Sequence, residues 1–291
     1  MVGTVSTYVV GVAGDPDRQP SLEWASAVAG PDDAIVAVHA WEIPVVTGYE
    51  SVAAVDTRAI ETGAEEYLDR VVAGRADARV HGQLTTGHPG QALVDATAEA
   101  GDDAVVVVGH AGSSKVALLL GSTANYVVHH ARAPVVVVRG DVRVPVRTVV
   151  VGVDDPHEGH PDEPSLHALR WALTLPGTAR VEVQHAAFVP GVAAGVIAQP
   201  AVESEAEADV LDRQLRAAID AALNGREPPE ATEIVPVVTG GTGAFALIEA
   251  SRTADLIVIG TRGHRGLRQL ITGSTSLEVT AHAHCPVAVV R

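Results

Sequence analysis

The sequence repeats itself, and this feature limits the possible folds more than any other. The segment YVVGVAGD at residues 8–15 matches TVVVGVDD at residues 148–155, and GSTANYVVHHARAPVVVVR at residues 121–139 matches GSTSLEVTAHAHCPVAVVR at residues 273–291. Between these matches, each half alternates apolar runs of strand length with helically spaced apolar residues. Each half therefore predicts the order β-α-β-α-β-α-β-α-β, and the chain predicts two similar domains in series.

The apolar runs also indicate how the strands are arranged. They are continuous rather than alternating, which is typical of parallel strands covered by helices. We therefore expect an α/β protein with two tandem doubly wound parallel five-stranded sheets, one in residues 1–140 and one in residues 146–291. The joint from Gly140 to Arg147 is short and contains Pro145, so we expect the domains to pack together as an intrachain pseudo-dimer.

Charge and composition narrow the choice of partners. The formal net charge of −16 opposes binding to nucleic acid and to anionic membranes, because both attract positive fields. No segment has the roughly 18 consecutive apolar residues of a membrane span, and no basic segment of a signal peptide precedes the first strand. The lone cysteine, Cys285, forms no intrachain disulfide. We expect a cytoplasmic protein.

A glycine-rich loop follows the fourth predicted strand of the second half. Its glycines let the backbone approach a phosphate chain, and the helix that follows supplies N–H groups and a partial positive charge. The glycines are Gly260, Gly263 and Gly273. The further candidate donors are Arg262, Arg265, Arg268, Ser274, Thr275 and Ser276. The pattern favours a phosphate site, although a tight turn with solvated arginines is the alternative explanation.

The spacing G-x2-G-x9-G-S, followed by His-x-x-x-Pro-Val at the end of the last helix, resembles the universal stress protein family in both halves of the chain. The resemblance implies strand order 3-2-1-4-5, the adenine nucleotide alpha hydrolase-like fold, and ATP as ligand, with or without Mg²⁺. It places Asp154 across from the loop and the backbone of Ala186 against adenine. The residues it implies for the second domain are Val153, Asp154, Ala186, Ile259, Gly260, Arg262, Gly263, Gly273, Ser274, Thr275 and Ser276.

The first half departs from this pattern at two points. Ala13 stands where the second half has Asp154, and eight residues rather than nine separate Gly112 from Gly121. Either change is enough to weaken or abolish nucleotide binding, so binding and non-binding both stay open for this domain. The corresponding candidates are Gly11, Ala40, Gly109, Gly112, Gly121, Ser122 and Thr123.

Three functions are consistent with these features. We expect an ATP-binding regulatory protein of the stress response rather than an enzyme, with slow ATP hydrolysis as a by-product at most. A nucleotide-free scaffold for dimerisation or partner binding is the first alternative, and a homodimer of chains fits either function. An adenylating enzyme of the same superfamily is the second. We predict no catalytic residue and no metal site, and we interpret the insertion at residues 156–164 as a solvated loop.

Overall fold

The structure, a computed structural model, describes residues 5–42, 56–110, 120–154, 162–187, 205–229, 231–261 and 273–291. The elements of the first repeat are Thr7–Gly11 (β1), Pro20–Val28 (α1), Ala34–Trp41 (β2), Thr57–Ala73 (α2), Val80–Thr86 (β3), Pro89–Ala100 (α3), Ala104–Gly109 (β4), Ser122–His130 (α4) and Val135–Val138 (β5). Those of the second repeat are Thr148–Gly152 (β6), Glu163–Ala172 (α5), Arg180–Ala187 (β7), Glu205–Leu223 (α6), Glu233–Gly240 (β8), Gly243–Ala250 (α7), Leu256–Gly260 (β9), Ser274–His282 (α8) and Val287–Val290 (β10).

The chain divides into two compact units. The first comprises described residues up to 110 together with 121–135, and the second comprises residue 120 and the described residues from 136 onward. The division falls within β5, at Val135, rather than in the joint between the repeats. The predicted domain limits at residues 140 and 146 stay a prediction.

The strands of each unit are parallel. The first unit has the order β3-β2-β1-β4, and β5 starts beside β4, where the N–H of Val106 donates to the carbonyl oxygen of Pro134 at 3.0 Å. The second unit contains the order β8-β7-β6-β9-β10. This is the predicted order 3-2-1-4-5 within the second repeat. The doubly wound α/β prediction is confirmed, with β5 divided between the units as the difference in detail.

The central strands form the core of each unit. Every residue of β4 from Ala104 to Val108 is buried, and so is every residue of β9 from Leu256 to Ile259. Burying a valine or leucine side chain contributes roughly 1.5–3 kcal/mol. Helices pack on these strands: α1 and α3 contact β1 and β4, and α5 contacts β9. The continuous apolar runs of the sequence are therefore strands enclosed by helices.

None of the helices in the described ranges combines the length and the apolar character that a membrane span requires.

Candidate functional site

A cavity of about 390 Å³ opens in the second unit, at the carboxyl ends of its central strands. Its floor is formed by the ends of β6, β7 and β9, and its sides by the first turns of α5, α7 and α8. Strands β7 and β8 follow β6 in order on one side of it, and β9 pairs with β6 on the other side, so the strand order reverses between β6 and β9. Ligands of open α/β sheets bind at this kind of switch point.

The structure brings most of the sequence-predicted residues together around this one cavity. The predicted residues that line it are Val153, Asp154, Ala186, Ile259, Gly260, Gly273, Ser274, Thr275 and Ser276. Arg262 and Gly263 lie outside the described residues, as do Arg265 and Arg268. Their part in a site stays a prediction.

The cavity has as many lining residues outside the predicted set as within it. The additional ones are Gly152, Asp162, Pro164, Ser165, Gln184, His185, Gly243, Ala246 and Leu247. They lie at the ends of β6 and β7, beside predicted residues, or at the starts of α5 and α7, which face the carboxyl edge of the sheet. The predicted starts of those two helices were therefore the signal in the sequence that could have found the second group.

The end of β6 is held in place by β7. The N–H of Val153 donates to the carbonyl oxygen of Gln184 at 2.9 Å, and Nδ1 of His185 lies 3.2 Å from the carbonyl oxygen of Val153. Because a carbonyl oxygen only accepts, Nδ1 of His185 carries the hydrogen. This buried histidine therefore fixes the backbone immediately before Asp154.

The start of α5 places two carboxylates on the cavity wall. The N–H of Asp154 donates to Oγ of Ser165 at 3.0 Å, and the N–H of Ser165 donates to Oδ1 of Asp162 at 3.1 Å. Asp162 is the N-cap of α5, so its side chain satisfies one of the free N–H groups of that helix. Since Asp154 and Asp162 both line the cavity, this side of it is acidic.

The start of α8 has the opposite character. Its N-cap is Gly273, which supplies no side-chain cap, and its first turn contains no acidic residue. The first N–H groups of a helix have no partner within the helix and carry a partial positive charge. Ser276, which is buried, has its Oγ 3.4 Å from the carbonyl oxygen of Gly260. The α8 side of the cavity therefore offers donors to an anion.

Gly260 has a packing role as well as its place in the cavity. A Cβ added there would stand 2.4 Å from the carbonyl oxygen of Pro164 and 2.5 Å from its carbonyl carbon. No side chain fits at such distances, because the obstacle is backbone. The first turn of α5 thus approaches the end of β9 as closely as it does only because residue 260 is glycine.

The first unit repeats the backbone of this site. The N–H of Val12 donates to the carbonyl oxygen of Val38 at 3.0 Å, and Nδ1 of His39 lies 3.1 Å from the carbonyl oxygen of Val12. These contacts match those of Val153, Gln184 and His185 in the second unit. Together they establish which positions of the two repeats correspond.

The predicted residues of the first domain also lie where the repeat requires. Gly11 ends β1, Ala40 lies in β2 and Gly109 ends β4. Gly121 is the N-cap of α4, whose first residues are Ser122 and Thr123. Gly112 lies outside the described residues.

The side chains near Ala13 differ from those near Asp154. The amide nitrogen of Gln19 lies 3.1 Å from the carbonyl oxygen of Ala13, 2.6 Å from that of Asp15 and 2.9 Å from the hydroxyl of Tyr67. Gln19 is buried, and the rings of Tyr67 and His39 are 4.4 Å apart. Burial is the main cause that raises the pKa of Tyr67 above its ordinary value. The chain's own side chains therefore pack against the end of β1.

The described residues contain no cluster of three His, Cys, Asp or Glu side chains that is suited to hold a metal ion. Of the insertion at residues 156–164, only 162–164 are described. Cys285 is fully buried, and burial raises the pKa of its thiol to about 12. The thiol is thus protonated at neutral pH and unsuited to act as a ligand.

Comparison with known proteins identifies the family. The sequence model described as the universal stress protein family matches residues 5–139 and 145–291. The chain belongs to the universal stress protein family. Both repeats carry the family domain, so this is a tandem member of a family of stress-response proteins.

Relatives of similar length share this organisation. A universal stress protein of Mycolicibacterium smegmatis is 28% identical over 311 aligned positions that cover 100% of this chain and 99% of the relative. One from Mycobacterium tuberculosis is 27% identical, with 97% of this chain and 94% of the relative covered. The crystal structure of a universal stress protein from Archaeoglobus fulgidus superposes with a TM-score of 0.64 at 19% identity, and 98% of each chain is covered. That structural likeness supports the fold.

Proposed function

We propose that the second domain binds ATP in the cavity between α5 and α8, and that nucleotide occupancy regulates the protein. The observation that carries the proposal is that the predicted residues from three strand ends and one helix start line a single cavity. Its volume of about 390 Å³ falls in the range of roughly 300–1,000 Å³ for small-molecule and cofactor sites.

The charges of the cavity suggest how a nucleotide would be oriented. The uncapped start of α8 at Gly273 suits the phosphates, because its N–H groups donate and its dipole favours negative charge. The carboxylates of Asp154 and Asp162 would repel phosphates and accept hydrogen bonds from ribose hydroxyls. The acidic side and the donor side thus suit different parts of the same ligand.

The spacing of the strands indicates where the base would lie relative to the phosphates. The ends of β7 and β9 lie on either side of β6, and adjacent strands are about 4.8 Å apart, which separates β7 from β9 by roughly 10 Å. With the phosphates at β9 and α8, the base falls near Gln184 and Ala186 at the end of β7. This separation suits a mononucleotide bound across three strands.

A regulatory role fits the lining better than catalysis does. The described part of the wall holds one histidine, His185, whose Nδ1 already binds the carbonyl oxygen of Val153. The first turn of α8, where the phosphates are proposed to bind, contains no acidic residue, so that helix supplies no base to activate water. We therefore propose a nucleotide-responsive protein with slow ATP hydrolysis as a by-product at most, and Mg²⁺ as an ion that arrives on the phosphates.

For the first domain we propose a structural role without nucleotide. The observation that favours this is the cluster of Gln19, Tyr67 and His39 beside the end of β1. It binds the carbonyl oxygen of Ala13 at the position where Asp154 stands in the second unit. A nucleotide there would have to displace buried hydrogen bonds and would find no carboxylate for its ribose.

The test is the nucleotide content of the freshly purified chain, measured by chromatography after denaturation, with isothermal titration of ATP into nucleotide-free protein. We expect one ATP per chain. Asp154→Ala removes charge-assisted hydrogen bonds worth roughly 1.5–3 kcal/mol, so we expect ATP affinity to fall about tenfold to a hundredfold.

The matched control is Ala13→Asp, which places the same carboxylate in the first repeat. We expect the stoichiometry to stay at one, because the Gln19 and Tyr67 cluster remains. A chain that neither carries ATP nor binds it on addition would overturn the proposal, and two ATP per wild-type chain would overturn the assignment of the first domain.

A further inference from the structure

Gln184 is a buried polar side chain at the base end of the cavity, and the first repeat has no counterpart for it. The N–H of Val12 donates to the carbonyl oxygen of Val38, as the N–H of Val153 donates to that of Gln184. Val38 therefore occupies the position in the first repeat that Gln184 occupies in the second. Both residues are buried, and Gln184 lines the cavity. An amide is costly to bury unless it is hydrogen-bonded. The second repeat must therefore offer hydrogen-bond partners to the Gln184 amide that the first repeat does not need.

The protein satisfies one end of this amide. Nε2 of Gln184 lies 3.2 Å from Oγ1 of Thr239, and Oγ1 of Thr239 lies 3.4 Å from the carbonyl oxygen of His185. The threonine hydroxyl has one hydrogen, which it donates to that carbonyl, so it accepts from Gln184. The chain of bonds therefore fixes the amide with its NH₂ group toward Thr239.

The oxygen of the amide is then the acceptor left for a ligand. Among the described residues, Oε1 of Gln184 has no hydrogen-bond partner. Gln184 is buried and is one of the residues that line the cavity. A fixed acceptor of this kind rewards a ligand edge that carries an N–H donor and penalises one that carries a second acceptor.

We infer that Gln184, oriented by Thr239, is the residue that selects a 6-aminopurine over a 6-oxopurine. This inference rests on the proposed nucleotide site, where the base falls at the end of β7. The exocyclic amine of an adenine base donates to Oε1, whereas the 6-oxo group of a hypoxanthine or guanine base would face it acceptor to acceptor. Thr239 is a positioning residue, because it acts through the glutamine.

The experiment compares ATP with inosine triphosphate by isothermal titration into nucleotide-free protein. Inosine triphosphate carries a 6-oxo group and an N1–H, where ATP carries a 6-amino group and an N1 without hydrogen. We expect wild type to bind ATP at least tenfold more tightly. Gln184→Leu removes the acceptor and should bring the ratio of the two affinities to within about threefold. The smaller Gln184→Val reproduces the first repeat and should do the same.

Thr239→Val provides the readout that a purely structural role would not move. It keeps the shape but removes the acceptor that holds the NH₂ group, so the amide is free to turn over and donate to a 6-oxo group. We expect inosine triphosphate to bind more tightly to this variant than to wild type, and the ratio to narrow. Retained ATP binding with an unchanged ratio in Gln184→Leu would overturn the inference. Failure of wild type to bind either nucleotide would instead overturn the proposed site itself.

Discussion

The two repeats have the same backbone at the switch point and different side chains around it. A buried or half-buried histidine donates from Nδ1 to the end of the first strand in both, at His39 and at His185. The second repeat adds Asp154 and Gln184, which line a cavity, where the first has Ala13 and Val38. In the first repeat, Tyr67 and Gln19 pack on the same strand end. One fold thus supports a polar cavity in one copy and a packed cluster in the other.

The largest expected difference between the repeats concerns their strand-end glycines. In Gly260→Ala the new Cβ meets the backbone of Pro164 at 2.4 Å, which cannot yield without moving α5. We expect a loss of roughly 2–3 kcal/mol in the free energy of unfolding and loss of ATP binding. Urea unfolding with hydrogen exchange, which resolves the two units, measures the free energy of unfolding. Isothermal titration measures ATP binding.

The matched variant is Gly109→Ala in the first repeat. Among the described residues its new Cβ meets only Oγ of Ser21, at 3.0 Å, and a hydroxyl rotates away at little cost. We expect a loss below about 1 kcal/mol, the range of most substitutions that break no special contact. Equal losses in the two variants would contradict the inference that α5 approaches β9 unusually closely.

The next difference concerns the serine in the first turn of the helix that follows the first strand. Ser165→Ala removes the hydrogen bond that the N–H of Asp154 donates to Oγ of Ser165, which should cost about 1–2 kcal/mol and weaken ATP binding through Asp154. Ser21→Ala is the control, because Ser21 accepts no such bond from Ala13 in the described first unit. Calorimetry and ATP titration of the two variants should show lower stability and weaker ATP binding in Ser165→Ala than in Ser21→Ala. Identical results would contradict the role proposed for Ser165.

A third difference is acid sensitivity. Hydrogen bonds from Arg79 hold the pKa of Asp77 at about 2, and Arg79 also donates to the carbonyl oxygens of Ala29 and Gly30. A lowered pKa gives stability that is complete above the unfolded value near pH 4 and is lost as pH falls toward 2. We expect the first unit to lose about 1–2 kcal/mol in that window.

Asp77→Asn tests this acid effect. Its urea midpoint, followed by tryptophan fluorescence at pH 5 and pH 2.5, should show a smaller acid loss than wild type. The ion pair between Arg180 and Glu233 in the second unit is 38% and 64% exposed and should contribute little to stability. An acid loss that is the same in Asp77→Asn and wild type would show that other carboxylates control it.

The smallest expected effect lies in the cluster that replaces the cavity. Tyr67→Phe removes the hydroxyl beside the amide of Gln19, which keeps its contacts with the carbonyl oxygens of Ala13 and Asp15. We expect a loss of about 0.5–1 kcal/mol, seen as faster hydrogen exchange in residues 13–19, with ATP stoichiometry unchanged. A second ATP bound by this variant would show that the tyrosine alone closes the first repeat.

The sequence by itself determined the architecture and one side of the site. The repeat and the continuous apolar runs specify parallel strands between helices, because period and burial are local properties of the chain. The sequence placed Gly260 and Asp154 at strand ends and Gly273 before a helix, and parallel strands bring their ends to one edge of the sheet. The described members of the predicted set accordingly meet around one cavity.

Only the tertiary structure decided which side chains complete that cavity. Gln184 and Thr239 are 55 residues apart, and Gln19 and Tyr67 are 48 apart, so no local pattern joins them. Gly260 likewise lines the cavity and also allows the backbone of Pro164 in α5 to pack closely against it. These pairs depend on strand register and helix packing, where a shift of one residue would turn each side chain away. The chemistry that distinguishes the two repeats therefore resides in long-range contacts.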